Sequence, residues 1–499
     1  MSPAPTETSS TDMSSTDTSS TGTSSTDTDV LPDGWEMVIG LEVHVELHTN
    51  TKLFCGCANS FGDEPNTNVC ATCLGLPGSL PVINATAVDY AMQLGRALNC
   101  TVNSSIFARK NYFYPDMPKD YQVSQYDQPT NSEGYITLPS GVVIGIERAH
   151  IEEDTGKSTH IGGGGRISDA TYTLVDYNRA GVPLVEVVSH PVMHNPEDAK
   201  AYVTELRDIL LATGVSDAKM EEGSMRVDAN VSVRPSGAEE LRTRCEIKNI
   251  NSIRSLGRAI EYEAKRHVDL YENREAPRQE TRHWDEAAGR SRPGRSKEDA
   301  DDYRYFAEPD LVPLAPDAQT ILAIDANMAV LPSQRRQALA TAAGVPEADT
   351  ALVIERGMDA LALDAIAAGA DAPTVIKHIE NNLAHGPGHL SAAAFAELVT
   401  METGGELSST QVKDVLAELV SSGGSPAAVA AAKGFEAMDS SELETLLDGL
   451  IADSPDEWAR FVQGEKKVQG FFVGQIMKAT KGQADGKIVN QLMQSRAQQ

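Results

Sequence analysis

Residues 38–47 read Val-Ile-Gly-Leu-Glu-Val-His-Val-Glu-Leu, which puts Leu41, Val43, Val45 and Leu47 on one side of an extended strand and Glu42, His44 and Glu46 on the other. The same period of two recurs at 225–234, where Met225, Val227, Ala229, Val231 and Val233 alternate with Arg226, Asp228, Asn230, Ser232 and Arg234. At 241–248 Arg242, Arg244, Glu246 and Lys248 oppose Leu241, Thr243, Cys245 and Ile247. From Trp35 to about Leu314 such runs are broken by Gly, Pro and Asn, with helices predicted at 197–213 and 252–268, so this part is an α+β domain. Beyond Pro316, Ala, Leu, Glu and Asp recur at helical spacing, interrupted by Gly-Gly at 404–405 and 423–424. That pattern predicts two small helical bundles divided near Gly404. Ahead of everything, Ser-Ser-Thr-Asp repeats at 9–12, 14–17 and 24–27 with Ser-Ser-Thr-Gly at 19–22, a polar tract with nothing to build a core. The expected division is a disordered Ser/Thr/Asp tail over 1–33, a sheet domain over 34–316, a helical domain over 317–404 and a helical tail domain over 405–499.

Composition narrows the function classes. A chain of 499 residues with 40% hydrophobic positions can bury sizeable cores in about three domains, which excludes a fibrous or wholly disordered protein. A net charge of -30 excludes holding nucleic acid by bulk charge, so any such contact must be local. No apolar run reaches the roughly 18 residues that span a bilayer, and the N-terminus lacks a basic-then-apolar secretory pattern, so no membrane association and a cytoplasmic location are expected. Only 17 of the 42 basic residues are lysines. Dense carboxylates with few lysines suit a cytosol salty enough to screen repulsion over about 3 Å, and a halophilic source is expected.

Four of the six cysteines, Cys55, Cys57, Cys70 and Cys73, form C-x-C, twelve intervening residues, then C-x-x-C. Two short thiolate knuckles brought together supply four sulfurs for tetrahedral zinc. Disulfides are out of place in a cytosol, a redox pair leaves the second pair unexplained, and no base stands nearby, so a structural Zn²⁺ is expected. Cys100 and Cys245 are isolated and read as buried packing.

The polar strand faces mix His, Asp, Asn, Arg and Glu, unlike the Lys/Glu/Thr of a merely wet sheet. Glu186 stands inside the apolar run Val182–Val188, where an unpaired carboxylate is costly. The stretch His150–Ser158 adds Glu152, Glu153 and Asp154 ahead of Gly-Lys-Ser. It is no phosphate loop, because Ile151 occupies the place of the first required glycine. Carboxylates with a histidine on one sheet face suit an oxygen-ligated Mg²⁺ bridging to nucleotide phosphates, while Lys110, Arg179, Arg226 and Lys248 suit phosphate oxygens. These residue types predict phosphoryl or nucleotidyl chemistry. No G-x-S-x-G or other nucleophile arrangement competes, and Gly162–Gly165 reads as a loop.

The segments Gly40–Leu47, Arg109–Asp116, Glu152–Ser158, Asp176–Glu186, Met220–Asn230, Tyr303–Asp310 and, near the end, Gly474–Asp485 closely resemble the B subunit of the aspartyl/glutamyl-tRNA(Asn/Gln) amidotransferases, in collinear order from about Met37 to Met493. The resemblance implies a cradle-shaped, mixed or antiparallel sheet domain that phosphorylates, with ATP, the side-chain carboxylate of Glu-tRNA(Gln) or Asp-tRNA(Asn). It also implies partners in a heterotrimer: an amidase, the A subunit, whose ammonia travels through a channel to the acyl phosphate, and a small C subunit. By the same resemblance Glu42, His44, Glu153 and Glu186 match the Mg²⁺ positions, Lys110 a cradle lysine, and the four cysteines the zinc site of many members; Arg226, Asp228 and Lys248 are added here as contacts to the nucleotide. Five lysines fall within positions 466–487, and Lys466, Lys467, Lys478 and Lys481 are expected to hold the tRNA body. The chain departs from the family pattern at His190-Pro-Val192, Ala307 and Gly486. Two rivals are an archaeal-type E subunit, whose extra inserted domain has no room after Asp310, and a zinc-containing tRNA-binding module without catalysis, which would not need the metal positions.

Overall fold

The computed structural model describes residues 30–162, 170–296, 303–435, 440–480 and 486–497. The repeat tail therefore lies outside the described residues. The alternating run around His44 forms the long strand β1 (Trp35–Glu46). Downstream strands in chain order are β2 (Thr101–Val102), β3 (Ala108–Asn111), β4 (Tyr121–Ser124), β5 (Asn131–Thr137), β6 (Val143–Glu153), β7 (Lys157–Ile161) and β8 (Tyr172–Asp176). They continue with β9 (Pro183–Ser189), β10 (Met225–Pro235), β11 (Cys245–Ile250), β12 (Glu280–Asp285), β13 (Arg290–Ser296) and β14 (Phe306–Ala307).

Nine strands make one sheet in the order β13-β12-β11-β10-β1-β9-β6-β5-β2, with β1 near its centre. Pairing is antiparallel except between β11 and β12, so the sheet is mixed. The strand predicted over 241–248 begins only at Cys245, and Leu241 is exposed. A second sheet, β14-β3-β4, packs beside β6, and β7-β8 form a hairpin.

Helices α1 (Ala85–Ala97), α2 (Pro196–Thr213) and α3 (Ile253–Glu272) cover one side of the large sheet. Local chemistry sets their ends. Asn195 and Ser252 cap α2 and α3 by accepting the N–H groups of Asp198 and Ser255, Pro196 opens α2, and Gly214 closes it at φ 71°. The apolar parity of β1 and β10, Met37 to Val45 and Met225 to Val233, buries against Leu94, Tyr202, Leu206, Leu256 and Ile260. Only one sheet face is thus used by the core. The other parity, carrying Glu42, His44 and Asp228, is left for chemistry.

The helical half follows. The helix Pro332–Ala343 is tied to α2 by an ion pair, Arg336 with Glu205, both nearly inaccessible at 2% and 3%. A second apolar cluster runs from Leu339 to Ala430. It spans Gly404, because helices Ala392–Thr403 and Ser409–Ser422 bury Phe395, Leu398, Val412 and Leu416 together, so the break in packing falls after Ala430, beyond the expected boundary. A third cluster joins Leu443, Leu447, Phe472, Ile476 and Met493. No single helix among the described residues is long and apolar enough to cross a membrane.

Candidate active site

Strand register builds the site. His44 on β1 lies opposite Arg226 on β10 and Glu186 on β9, and Glu186 lies opposite His150 on β6. Directly opposed residues share a face, so these four form one row across four strands. Glu42 lies opposite Asp228, next to that row. The face is partly secluded: Glu152 is 4% exposed and Asp228 9%, while Glu42, His44 and Glu186 are half-buried.

His44 Nδ1 is 3.1 Å from Glu152 Oε1, and its Nε2 is 3.7 Å from Asp228 Oδ2. His150 Nε2 is 3.2 Å from Glu186 Oε2. One donor atom each from His44, Glu152 and Glu186 falls within 4.8 Å of the others, and so do atoms of Glu42, Asp228 and Glu246. Asn230 donates to Glu42 at 2.9 Å, while its buried Oδ1 has no partner. Lys248 bridges Asp228 and Glu246, and Lys110 lies on β3 beside Tyr303 and Tyr305.

The charges reinforce one another. Burial works against the imidazolium of His44, but its hydrogen bonds to Asp228 and Glu152 and the charge of Glu186 hold its pKa well above the usual range. Burial likewise opposes ionisation of Glu186, yet His150, His44 and Lys110 hold it well below the usual carboxylate range. Asp228 is held low against burial by Lys248 and His44. Lys110 loses solvation too, and the Tyr305, Glu152 and Tyr303 side chains still raise it. The face thus holds Glu186 and Asp228 as carboxylates among cations, with further carboxyl groups beside them, chemistry that fits a divalent ion with phosphate oxygens.

Not every expected residue joins this group. Glu153 is turned away by strand alternation: it follows Glu152 directly, its carboxylate takes Lys119 and the Val123 N–H at 2.8 Å, and it lines a cavity of about 70 Å³ with Lys52, Cys55 and Cys73. Glu152 stands with His44 in its place, and parity counted from His150 carries that signal in the sequence. Arg226 points its guanidinium to Asp154 at 2.7 Å, which Arg179 also approaches at 3.3 Å. Asn230, Glu246 and His150 sit in the site without having been singled out as ligands. Gly156 of the Gly-Lys-Ser run is explained by packing, since a Cβ there would come within 3.0 Å of the Asp176 carbonyl.

The cysteines converge separately. Cys73 Sγ is 3.5 Å from Cys55 Sγ, 3.7 Å from Cys70 Sγ and 3.9 Å from Cys57 Sγ. Four sulfurs about 2.3 Å from a tetrahedral Zn²⁺ lie about 3.8 Å apart, so this quartet fits that ion. A hydrogen bond with Cys55 and the nearby charge of buried Lys52 draw the Cys73 thiol down to about 4. Cys100 and Cys245 are buried away from it. Cys245 does adjoin Glu263 and His267, but Glu263 already pairs with Arg266 and Arg282.

In the terminal unit Lys467 and Lys478 are exposed on the helix Lys466–Ala479. The side chain of Lys466 and all of Lys481 lie outside the described residues.

Comparison with known proteins places the chain in a family. A family model for the GatB/GatE catalytic domain matches residues 37–322, and one for the GatB domain matches 374–496. The B subunit of the aspartyl/glutamyl-tRNA(Asn/Gln) amidotransferase of Frankia casuarinae is 46% identical over 482 residues, 93% of this chain and 95% of that protein. The B subunits from Nocardia farcinica, 46% identical over 479 residues (92% and 95%), and from a Thermoanaerobacter species, 44% over 474 residues (92% and 98%), bear the same name. With both family models and these relatives spanning the sheet domain and the helical half alike, the chain belongs to the GatB family of amidotransferase subunits.

Proposed function

We propose that this chain is the carboxylate-activating subunit of a tRNA-dependent amidotransferase. It transfers the γ-phosphoryl group of ATP to the side-chain carboxylate of Glu-tRNA(Gln) or Asp-tRNA(Asn), and ammonia from a partner amidase then displaces phosphate to leave the amide. A small third polypeptide completes the assembly. The observation that carries this reading is the row His44–Glu186–His150 with Glu152, Glu42 and Asp228 on a secluded face of the sheet. Phosphoryl transfer to a carboxylate brings two anions together, and the work of the protein is to position them and offset their charge.

His44, Glu152 and Glu186 would hold Mg²⁺, with Glu42, Asp228 and Glu246 forming a second set of oxygens beside them. When bound, Mg²⁺ supplies charge neutralisation on the transferring phosphoryl group. Lys110 and Lys248 stand at the two sides of the face, placed to meet phosphate or carboxylate oxygens. Arg226 and Arg179 act through Asp154, fixing the end of β6 that carries Glu152. The cysteine quartet would hold Zn²⁺ as a clamp that orders the loop after β1. Lys467 and Lys478, eleven residues apart and so about three turns along one helix face, would meet the phosphates of the tRNA body.

The test is amidation of misacylated tRNA by this chain assembled with its partner subunits, ATP, Mg²⁺ and glutamine, in high salt. Loss of amidation in Glu186→Gln with retained tRNA binding supports the reading; retained amidation removes it.

A further inference from the structure

Beside the carboxylate face lies an aromatic cluster that the chemistry above does not use. Tyr126 and Tyr305 stack in parallel with ring centres 4.4 Å apart and planes at 9°, and Tyr303 meets Tyr305 edge-on at 6.1 Å. Tyr126 is 51% exposed and nearby Phe113 64%, a costly arrangement for rings that burial would stabilise. Cations interleave with them. Lys110 Nζ lies 4.6 Å from the Tyr303 ring centre, and the Arg304 guanidinium lies 5.9 Å from that of Phe113.

The cluster is held from both sides. Arg304 has φ 47°, a left-handed conformation that a non-glycine residue adopts at some cost. The Asn111 carboxamide donates to the carbonyls of Tyr303 and Arg304 at 2.8 and 2.9 Å and pins that turn. On the other side Gln125 accepts the Ile151 N–H at 3.0 Å, fixing the backbone next to Tyr126. The position relative to the carboxylates is also fixed, since Ser124, two residues before Tyr126, donates to Glu152 at 3.5 Å.

Rings on a pinned backbone, Tyr126 and Phe113 exposed and Tyr305 half-buried behind Tyr126, with a lysine and an arginine among them, are what unpaired nucleotides stack upon; recognition of this kind tolerates any base because each has a π face. In a protein of net charge -30, such a patch is a local exception. We infer that the Tyr126–Tyr305 pair, with Phe113 and Arg304, is a stacking platform for the unpaired 3′ nucleotides of the aminoacyl-tRNA. Resting on the function proposed above, this explains how the reacting carboxylate is delivered: the amino acid is esterified to the terminal ribose, so bases stacked at this rim set its side chain over Glu152 and Glu186.

The test is direct binding of deacylated tRNA to the assembled complex, using intact tRNA and tRNA with its unpaired 3′ nucleotides removed, for the wild type and for Tyr126→Ala, Tyr305→Ala and their Phe counterparts. Removing the nucleotides weakens wild-type binding about tenfold, within the roughly 5- to 150-fold that one stacked base supplies. The Ala variants bind intact tRNA about tenfold more weakly and shortened tRNA as the wild type does, while the Phe variants keep wild-type affinity for both. Equal weakening on intact and shortened tRNA overturns the platform. So does weakened ATP binding with tRNA affinity unchanged, which assigns the rings to the nucleotide base, or loss of the partner subunits on gel filtration, which assigns them to an interface. Binding is read without turnover, so a complex that shows this pattern and yet fails to amidate contradicts the proposed function and not the platform.

Discussion

His150 Nε2 stands 3.2 Å from Glu186 Oε2 across the β6–β9 pair, and Glu186 is in turn the register partner of His44 on β1. One half-buried carboxylate is therefore flanked by two imidazoles on neighbouring strands, and β6 also brings in Glu152 as partner to His44. The arrangement depends on strand parity alone: a slip of one residue in any of these strands would send the polar group into the core and an apolar one to the face.

Parity gives a sharp comparison between adjacent residues. Glu152→Gln is expected to reduce ATP-dependent amidation at least 100-fold while leaving the melting temperature near that of the wild type. Glu153→Gln is expected to act first on stability, by about 1–3 kcal/mol, because it leaves half-buried Lys119 without its carboxylate. Steady-state kinetics alongside thermal unfolding of both variants separates the two roles.

The cysteine quartet is expected to retain one zinc per chain through purification. Cys73→Ser should lose the metal and lower the melting temperature by several degrees, whereas Cys100→Ala should keep it. Metal analysis with thermal unfolding reads both. Full metal in Cys73→Ser would contradict the assignment.

The strand alternation around His44, the two long helices after β9 and β11, and the cysteine spacing were all legible in the sequence, because each is a local repeat or spacing with one physical meaning. The choice between Glu152 and Glu153 required knowing where β6 keeps its parity. Lys248 was legible as a cation on a polar face, but its bridge between Asp228 and Glu246 depends on pairing of β10 with β11. The strand predicted from 241 starts at Cys245, since β10 provides ladder partners only from there. The bundle division at Gly404 failed to appear because glycine ends a helix without ending a core: Phe395 and Leu416 pack together on either side of it.

The junction between sheet and helices gives a stability prediction. Arg336→Ala leaves Glu205 buried and unpaired, and is expected to cost about 3–5 kcal/mol. Denaturant unfolding measures it, and the double variant Arg336→Met with Glu205→Leu should recover most of the loss.

A pH dependence follows for Asp208, which burial and the charges of Glu205 and Glu355 push up to about 6. An unfolded aspartate titrates near 3.9, so between about pH 4 and 6 the folded chain binds the extra proton and stability falls as pH rises. Asp208→Asn should therefore stabilise the protein by about 1 kcal/mol at pH 7.5, allowing for solvent screening of this half-buried group, and the gain should vanish by pH 4. Denaturant midpoints at the two pH values check it, and a gain that grows toward acid pH would reverse the sign.

In the proposed function this chain itself activates the carboxylate. The most direct measurement is formation of ADP by the assembled complex with ATP, Mg²⁺ and glutamyl- or aspartyl-tRNA, in the absence of glutamine and ammonia, for the wild type and for Glu186→Gln. ADP formation that requires the misacylated tRNA and is lost in Glu186→Gln is the predicted result; ADP formation unchanged by that substitution, or indifferent to the aminoacyl group, would contradict it.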